Sequence, residues 1–371
     1  MKLLYLIAGT YRAAGMEKVL ADKANWFAAH GHEVVIATTD QRGQEPAFAM
    51  DPSIRSVDLG INYETTNGAN FLIKAAAFPF KQWKHRKKLT ALLEQEKPDI
   101  TVSMFCNDAG FLPKIQDGSK KVLEVHFSRF KRFQYGRKGI WALADKFLSE
   151  QDLKYAKAFD RFVVLTQEDK GYWGDLPNMV VIPNGVPRKD PSPLDAHTVI
   201  AVGRYSFQKA LDRLIRAWSM IEDRGDWKLK LVGDGECRDE LNTLVNDLGL
   251  YDSVELTGVQ KDMEAVYRSA SLLALSSRYE GLPMVLLEAE AHGIPAVSFT
   301  CKCGPRDVIT DGVNGRLVPA KDVEGLAKAI DELIHDPETL RRMGAAAYAD
   351  SSRWEPEHIM EQWLRLFEGL L

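Results

Sequence analysis

The chain holds 371 residues, 45% of them apolar and 27% charged, with a formal net charge of −4. That length is too great for one hydrophobic core of ordinary size, so two domains are expected, and the slight acidity argues against general nucleic-acid binding. Cys106, Cys237, Cys301 and Cys303 are too few and too unevenly spaced for a disulfide framework or a zinc motif, and they read as reduced thiols of a cytoplasmic protein.

In chain order, the apolar start Lys2 to Ala8 meets Thr10, Tyr11 and Arg12 at once. It reads as a buried strand rather than a signal peptide. No run approaches the roughly 18 apolar residues of a spanning helix, so any membrane contact is expected to be peripheral. Further strands are expected at 33–38, 54–58, 99–104, 121–126, 161–165 and 179–182, with helices between them, notably 15–30, 70–95 and 139–158. The stretch from Pro183 to Asp195 carries four prolines and no apolar periodicity. It marks a linker, with a first domain over 1–183, the linker over 184–196 and a second domain over 197–352. That second domain should hold strands at 197–202, 228–232, 253–257, 271–275, 295–299 and 316–318. Helices follow near 322–335, 337–350 and 355–370, the last forming a terminal segment over 353–371. Strands alternating with helices point to an α/β protein with two doubly wound parallel sheets. In such sheets ligands bind beyond the carboxyl ends of the strands, which would face each other across a cleft.

Three segments of the second domain carry chemistry. Gly203-Arg-Tyr-Ser-Phe-Gln-Lys209 joins a strand to an apolar helix, where Arg204, Lys209 and helix N–H groups can neutralise a diphosphate; solvated loop charges are the plain alternative. Val232-Gly-Asp-Gly-Glu236 ends the next strand in a tight turn. The run Glu280-Gly-Leu-Pro-Met-Val-Leu-Leu-Glu288 starts a helix expected over 283–292, with Pro283 in its first turn and Gly293 at its end. Buried carboxylates require partners, so Glu280 and Glu288 imply a polar ligand or a core cation. The N–H groups of Leu282, Met284 and Val285 stand where an anionic or hydroxyl-bearing ligand is held at a helix N-terminus. In the first domain His126 closes a strand at its carboxyl end, as a structural or a functional residue. Glu124 and Asp307 are further acidic candidates without an assigned role.

Those segments, with Cys303-Gly-Pro-Arg-Asp307 and Asp311-Gly-Val-Asn-Gly-Arg316 downstream and Ala14-Gly-Met-Glu-Lys-Val-Leu20 and His30-Gly-His-Glu-Val-Val35 upstream, resemble the retaining family 4 glycosyltransferases of the GT-B fold over nearly the whole chain. The resemblance implies two Rossmann-like domains, the first binding the acceptor and the second a nucleotide sugar, with the terminal helix crossing back onto the first. It implies that Glu288 accepts the ribose hydroxyls and that Glu280 meets the donor sugar. It places Gly203, Leu282, Pro283 and Met284 against sugar and phosphate, and Arg204 and Lys209 on the diphosphate. His126 would lie near the reaction centre, and Gly15 would let the first loop approach the donor. Ala13-Ala14-Gly15 departs from the glycine-rich run usual there. No Asp-x-Asp motif occurs, so the expected reaction is metal-independent and cofactor-free, moving a hexose from a nucleoside-diphosphate sugar, with uridine as the expected base, in bacterial surface polysaccharide or glycolipid synthesis. A sugar-nucleotide epimerase, a phosphorylase of related architecture and a non-catalytic nucleotide-binding module are the competing readings. A dinucleotide dehydrogenase is disfavoured because no Gly-x-Gly-x-x-Gly follows the first strand.

Two basic stretches, Lys81 to Lys88 and His126 to Lys138, occur in the first half. The second interleaves Phe127, Phe130, Phe133 and Tyr135 with cations, which suits an anionic membrane surface on the inner leaflet or a lipid-linked saccharide acceptor. Charge runs are otherwise solvated faces.

Overall fold

The computed structural model describes residues 1–66, 68, 71–133 and 138–371. Each apolar run of the first half becomes a strand: β1 (Lys2–Ile7), β2 (Glu33–Thr38), β3 (Arg55–Asp58), β4 (Ile100–Ser103), β5 (Lys120–Glu124), β6 (Arg161–Val164) and β7 (Met179–Val181). Between them lie α1 (Gly15–Ala29), α2 (Phe71–Glu96), α3 (Ile140–Ala158) and α4 (Gln167–Trp173). These strands form one parallel sheet in the order β3-β2-β1-β4-β5-β6-β7, with Tyr5 of β1 in register with Ile36 on one side and Val102 on the other. Both of its faces are covered. Leu4 and Leu6 point into one core cluster and Leu3, Tyr5 and Ile7 into another, which is why the strand is apolar at every position from Leu3 to Ile7 rather than at alternate ones.

The second half repeats the plan with β8 (Thr198–Val202), β9 (Lys228–Val232), β10 (Val254–Gly258), β11 (Leu272–Leu275), β12 (Ala296–Phe299) and β13 (Gly315–Val318), in the order β10-β9-β8-β11-β12-β13. Its helices are α5 (Leu211–Ser219), α6 (Arg238–Asp247), α7 (Met263–Arg268), α8 (Met284–Ala291), α9 (Pro305–Val308), α10 (Val323–Ile334), α11 (Pro337–Asp350) and α12 (Pro356–Glu368). The strand order reverses between β1 and β4 in the first sheet and between β8 and β11 in the second. At such a switch point adjacent loops diverge to opposite faces and leave a crevice at the carboxyl ends.

Most expected bounds lie within a residue or two of those observed, and two differences bear on the site. Strand β5 ends at Glu124, so His126 sits in the loop two residues beyond it. Helix α8 begins at Met284, because Pro283 has ψ of 98° and acts as its N-cap residue. The proline-rich connection from 183 to 197 has no regular element but is tied down: Lys189 and Ser192 donate backbone N–H groups to Ala291 and His292 at the end of α8, and the Ser192 hydroxyl donates to the Ala270 carbonyl at 2.6 Å. Helix α12 buries Ile359, Met360, Trp363 and Phe367 in the core cluster of the first sheet, against Leu3, Tyr5 and Phe27. Side chains of this size stabilise by about 1.5–3 kcal/mol each when fully buried, so the chain end is bound firmly to the first domain.

Candidate active site

The loops after β8, β9 and β10 form a backbone-bonded ridge at the carboxyl edge of the second sheet. Gly203 N–H donates to Val232 O at 2.9 Å, Tyr205 N–H to Asp234 O at 2.9 Å, and Gly233 N–H to Gly258 O at 2.9 Å. The glycines permit this contact: Gly233 has φ of +139°, and a Cβ there would lie 2.1 Å from the Gly203 carbonyl oxygen. Gly203, at φ of +149°, lets the stem of Lys209 lie against its backbone, since a Cβ would stand 2.9 Å from Lys209 Cε. The Val232-Gly-Asp-Gly-Glu236 segment is thus a packing requirement of the Gly203–Lys209 loop.

The two cations of that loop are held differently. Lys209 Nζ lies 2.8 Å from Glu280 Oε1, and this pair is mostly buried. Arg204 is 74% exposed and meets Glu236 at 3.0 Å; an exposed pair of this kind contributes about 0–1 kcal/mol. Glu280 is fixed by its backbone, whose N–H donates to Lys302 O at 2.7 Å and whose carbonyl accepts from Cys303 N–H at 3.2 Å. Leu282, two residues on, is buried. No side chain caps the N-terminus of α8, which opens beside this turn, and Met284 there accepts a hydrogen bond on Sδ from Asn184 of the connection at 3.3 Å.

Glu288 lies one turn into α8. Its partner is neither a core arginine nor a core lysine: the Tyr267 hydroxyl, from α7, donates to Oε2. Tyr267 is buried and stacks on His292 with ring centres 4.9 Å apart, and burial followed by the neighbouring carboxylate pushes its pKa well up. The phenol therefore stays a donor to Glu288. Tyr267 has no signature in the sequence that would have singled it out. The most buried acid of α8 is Glu290. It accepts from Trp354 Nε1 at 2.6 Å and from Asn314 Nδ2 at 2.8 Å, so the Asp311-Gly-Val-Asn-Gly segment anchors the core of this domain rather than a ligand.

From the first domain, His126 Nε2 lies 3.0 Å from Glu124 Oε1. Glu124 is buried and also receives Lys23 Nζ at 2.5 Å. Burial alone would raise the Glu124 pKa, but Lys23 and His126 together bring it down to about 2, so it is an anion behind the imidazole. The contact is one of charge proximity, since His126 Nε2 has no hydrogen-bond partner among the described residues. Lys23 in turn lies 3.6 Å from the ring centre of Trp363 on α12, a cation–π contact that links the chain end to His126. Gly15, at the start of α1, has open space around the position of a Cβ.

The two domains meet at this point. A Cβ on Gly281 would lie 2.7 Å from the His126 carbonyl oxygen, so the histidine and the Glu280 turn are in backbone contact. Below them, Asp307 accepts from the N–H groups of Gln167 (2.6 Å) and Glu168 (3.2 Å), capping α4 from the opposite domain. Gly304 N–H donates to Glu168 at 3.2 Å, and Cys303 Sγ lies 3.0 Å from Ser128 Oγ. His126, Lys209, Glu280, Leu282, Pro283 and Met284 are thereby brought to one seam, with Glu288 a turn deeper and Arg204 at the rim.

The two basic stretches are largely consumed internally. Lys81, Lys84 and Lys88 donate to the carbonyls of Asn62, Gly60 and Leu59 at 2.6, 3.1 and 2.6 Å. Arg129 bonds Ser149, and Arg132 grips Asp152 at 2.9 and 3.0 Å. Lys131 sits 3.0 Å over the Phe127 ring, and burial lowers its pKa to about 7. Phe130 receives Lys302 of the second domain at 4.5 Å, while Phe133 is exposed. Tyr135 lies outside the described residues.

Residues 13–190 match the model described as Glycosyltransferase Family 4, and residues 186–350 the one described as Glycosyl transferases group 1. The chain is 38% identical over 225 residues to an exopolysaccharide phosphotransferase of Streptomyces coelicolor, a match covering 58% of this chain and 24% of that protein. It is 35% identical to the amylovoran biosynthesis glycosyltransferase AmsD of Erwinia amylovora, covering 55% and 61%. These matches thus span less than two thirds of either relative. A GalNAc-alpha-(1->4)-GalNAc-alpha-(1->3)-diNAcBac-PP-undecaprenol alpha-1,4-N-acetyl-D-galactosaminyltransferase of Campylobacter jejuni is 26% identical over 99% of this chain and 98% of its own. Among solved structures, the lipopolysaccharide outer core galactosyltransferase WaaB superposes with a TM-score of 0.76 at 21% identity, covering 100% of both chains. The Anabaena protein HepE in complex with UDP does so at 0.75 and 18%, again over 100% of both. With the two models spanning residues 13–350 and the structural likeness running the length of the chain, the protein belongs to the family 4 glycosyltransferases of the GT-B fold.

Proposed function

We propose that this protein is a retaining hexosyltransferase, moving a sugar from a uridine diphosphate sugar to a hydroxyl of a glycan or lipid-linked saccharide in surface polysaccharide or glycolipid synthesis at the cytoplasmic face of the membrane. The observation that carries the reading is the convergence at the domain seam: Lys209 paired with Glu280 at 2.8 Å, beside the uncapped start of the helix bearing Glu288, with the His126 backbone pressed against Gly281. Relatives named for polysaccharide and undecaprenol-linked saccharide synthesis and a UDP complex of the same fold support the donor and acceptor classes. The relatives' names do not favour the epimerase reading.

In this reading the free oxygen of Glu288 accepts the ribose hydroxyls, while Tyr267 holds the other. Arg204 swings from Glu236 to the diphosphate, and Lys209 shares its ammonium between Glu280 and the phosphate nearest the sugar. Preorganised cations at the point where negative charge develops lower the barrier to departure. The bond from the anomeric carbon to the diphosphate oxygen breaks, and the acceptor hydroxyl forms its bond on the same face. Its proton passes to the leaving phosphate oxygen, with no carboxylate nucleophile. Glu280 and the His126 side of the seam hold the sugar against the acceptor. The two cations supply the positive charge that a metal would otherwise supply, and no resident cofactor takes part.

Glu288→Ala tests the donor site directly. Hydrogen bonds to a charged group contribute about 1.5–3 kcal/mol each, so calorimetry should show UDP affinity falling by at least tenfold. An unchanged affinity would remove Glu288 from the site and the reading with it.

A further inference from the structure

Helix α2 has 26 residues and is about 39 Å long at 1.5 Å per residue, whereas the six-residue β1 spans about 20 Å. The helix is anchored by its second half: Leu89, Leu92 and Leu93 lie in the core. Gln82 Nε2 donates to the Asn107 carbonyl at 2.9 Å, in the loop that follows β4, and this fixes residue 82 at the level of the carboxyl edge. Everything before it projects past the sheet at the cleft end. Ile73 and Phe80 on that overhang, and Trp83 at its root, are exposed, Phe80 by 65% and Trp83 by 60%, at intervals of seven and three residues that share one helix face. Phe80 and Trp83 stack at 6.0 Å, and Lys87 lies 5.6 Å from the Trp83 ring centre. Helix α3 leaves the His126 loop at the same edge, and it exposes Trp141, Leu143 (69%) and Phe147 (68%) in its first two turns.

Exposed apolar side chains scattered singly need no explanation, but these are concentrated. Of the fifteen large apolar residues exposed among the described residues, eight fall between 73 and 147: Ile73, Phe78, Phe80, Trp83, Phe133, Trp141, Leu143 and Phe147. The charge is equally uneven. Segments 71–93 and 125–144 hold eleven of the 48 Lys and Arg residues and none of the 52 Asp and Glu residues, in a chain of net charge −4. Lys81, Lys84, Lys88, Arg129 and Arg132 are spent on carbonyls and carboxylates, whereas Arg86, Lys87 and Lys138 stay exposed in the same two segments; an apolar ridge flanked by exposed cations is the chemistry of a helix seated at the headgroup level of an anionic bilayer, and tryptophan is favoured at that depth.

We infer that the overhanging edge formed by the first half of α2 and the start of α3 docks this protein on a bilayer bearing anionic headgroups, with the apolar ridge rather than the Lys81–Lys88 run as the contact. The inference rests on the reading that the acceptor is presented at a membrane. It places the docked edge at the mouth of the cleft on the His126 side, where a lipid-borne saccharide would enter.

The full chain is sedimented with vesicles of phosphatidylcholine and with vesicles in which about a third is phosphatidylglycerol. The parent should bind the anionic vesicles at least tenfold more tightly, and added salt should weaken the binding. Phe80→Ser with Trp83→Ser should lower partition at least tenfold, about 1.4 kcal/mol, with an unchanged melting temperature, unchanged UDP affinity and unchanged turnover on a water-soluble saccharide. Equal partition of parent and double variant overturns the inference. So does a parent that ignores vesicles and instead forms a dimer which the double variant abolishes, because a second copy then covers the ridge. Failure of the proposed activity shows separately, as vesicle binding without UDP binding.

Discussion

Gly281→Ala tests whether the seam between the domains belongs to the competent geometry. A methyl carbon at this position would lie 2.7 Å from the His126 carbonyl oxygen and 3.3 Å from Phe127 Cα, both backbone atoms. The closest comfortable carbon–oxygen approach is about 3.3 Å, so the two loops must part by about 0.6 Å or more. Neither can do so cheaply. The Glu280 turn is pinned to Lys302 and Cys303, and the loop bearing His126 is pinned through Ser128 to Cys303 and through the Arg129 N–H to Asp169 at 2.9 Å. Overpacking of this kind costs roughly 1–3 kcal/mol, and a displacement approaching 1 Å at reacting groups costs about a hundredfold in rate. The expected result is a fall of about 10- to 100-fold in kcat for sugar transfer, with UDP affinity within about twofold because Glu288 and Tyr267 lie a turn away. Gly171→Ala is the control, since a Cβ there meets nothing within 4 Å and a helical alanine is neutral or mildly stabilising. Steady-state turnover, calorimetry with UDP and thermal unfolding are measured on both. Parental turnover in Gly281→Ala would refute the claim that contact between His126 and Gly281 sets the distance across the reaction centre.

Tyr267→Phe removes the donor that holds one oxygen of Glu288, and the donor KM should rise about three- to tenfold with kcat changed less than twofold; an unaltered KM would show that Glu288 is positioned without it. For Glu290, burial raises the pKa to about 8, opposed by the Trp354 N–H and Arg353 and increased by Asp350. Because the folded value lies above the ordinary carboxylate value, the unfolded chain releases this proton first, and the stabilisation is full below about pH 4.5 and is lost as the pH rises through 8. The slope approaches 1.4 kcal/mol per pH unit for one proton. Urea unfolding between pH 6 and 7.5 should therefore show the parent losing about 2 kcal/mol relative to Glu290→Gln; parallel curves for the two proteins would refute the assignment.

Much of the fold was legible from periodicity. Each of the thirteen strands observed among the described residues falls at an expected apolar run, and the doubly wound arrangement follows from strands alternating with helices. The ends were less legible, because whether His126 prolongs β5 or Pro283 opens α8 depends on single backbone angles. The basic runs show the limit of counting charges. Lys81, Lys84 and Lys88 look free in the sequence, yet helical spacing turns them onto the carbonyls of the 59–62 loop and leaves the neighbouring aromatics outward.

The sequence by itself determined that two parallel sheets would form, where the connection between them lies, and that Lys209, Glu280 and Glu288 would stand on loops or helix starts at carboxyl strand ends. Those properties depend on neighbours within a few residues, through the pleat, the helical turn and the rigidity of proline and glycine. Only the tertiary structure decided the partners: Tyr267 on Glu288 across 21 residues, Lys23 on Glu124 across 101, and Asp307 capping α4 across 140. A buried carboxylate must find a donor, but which donor arrives is fixed by how separate helices pack, and no local pattern encodes that distance.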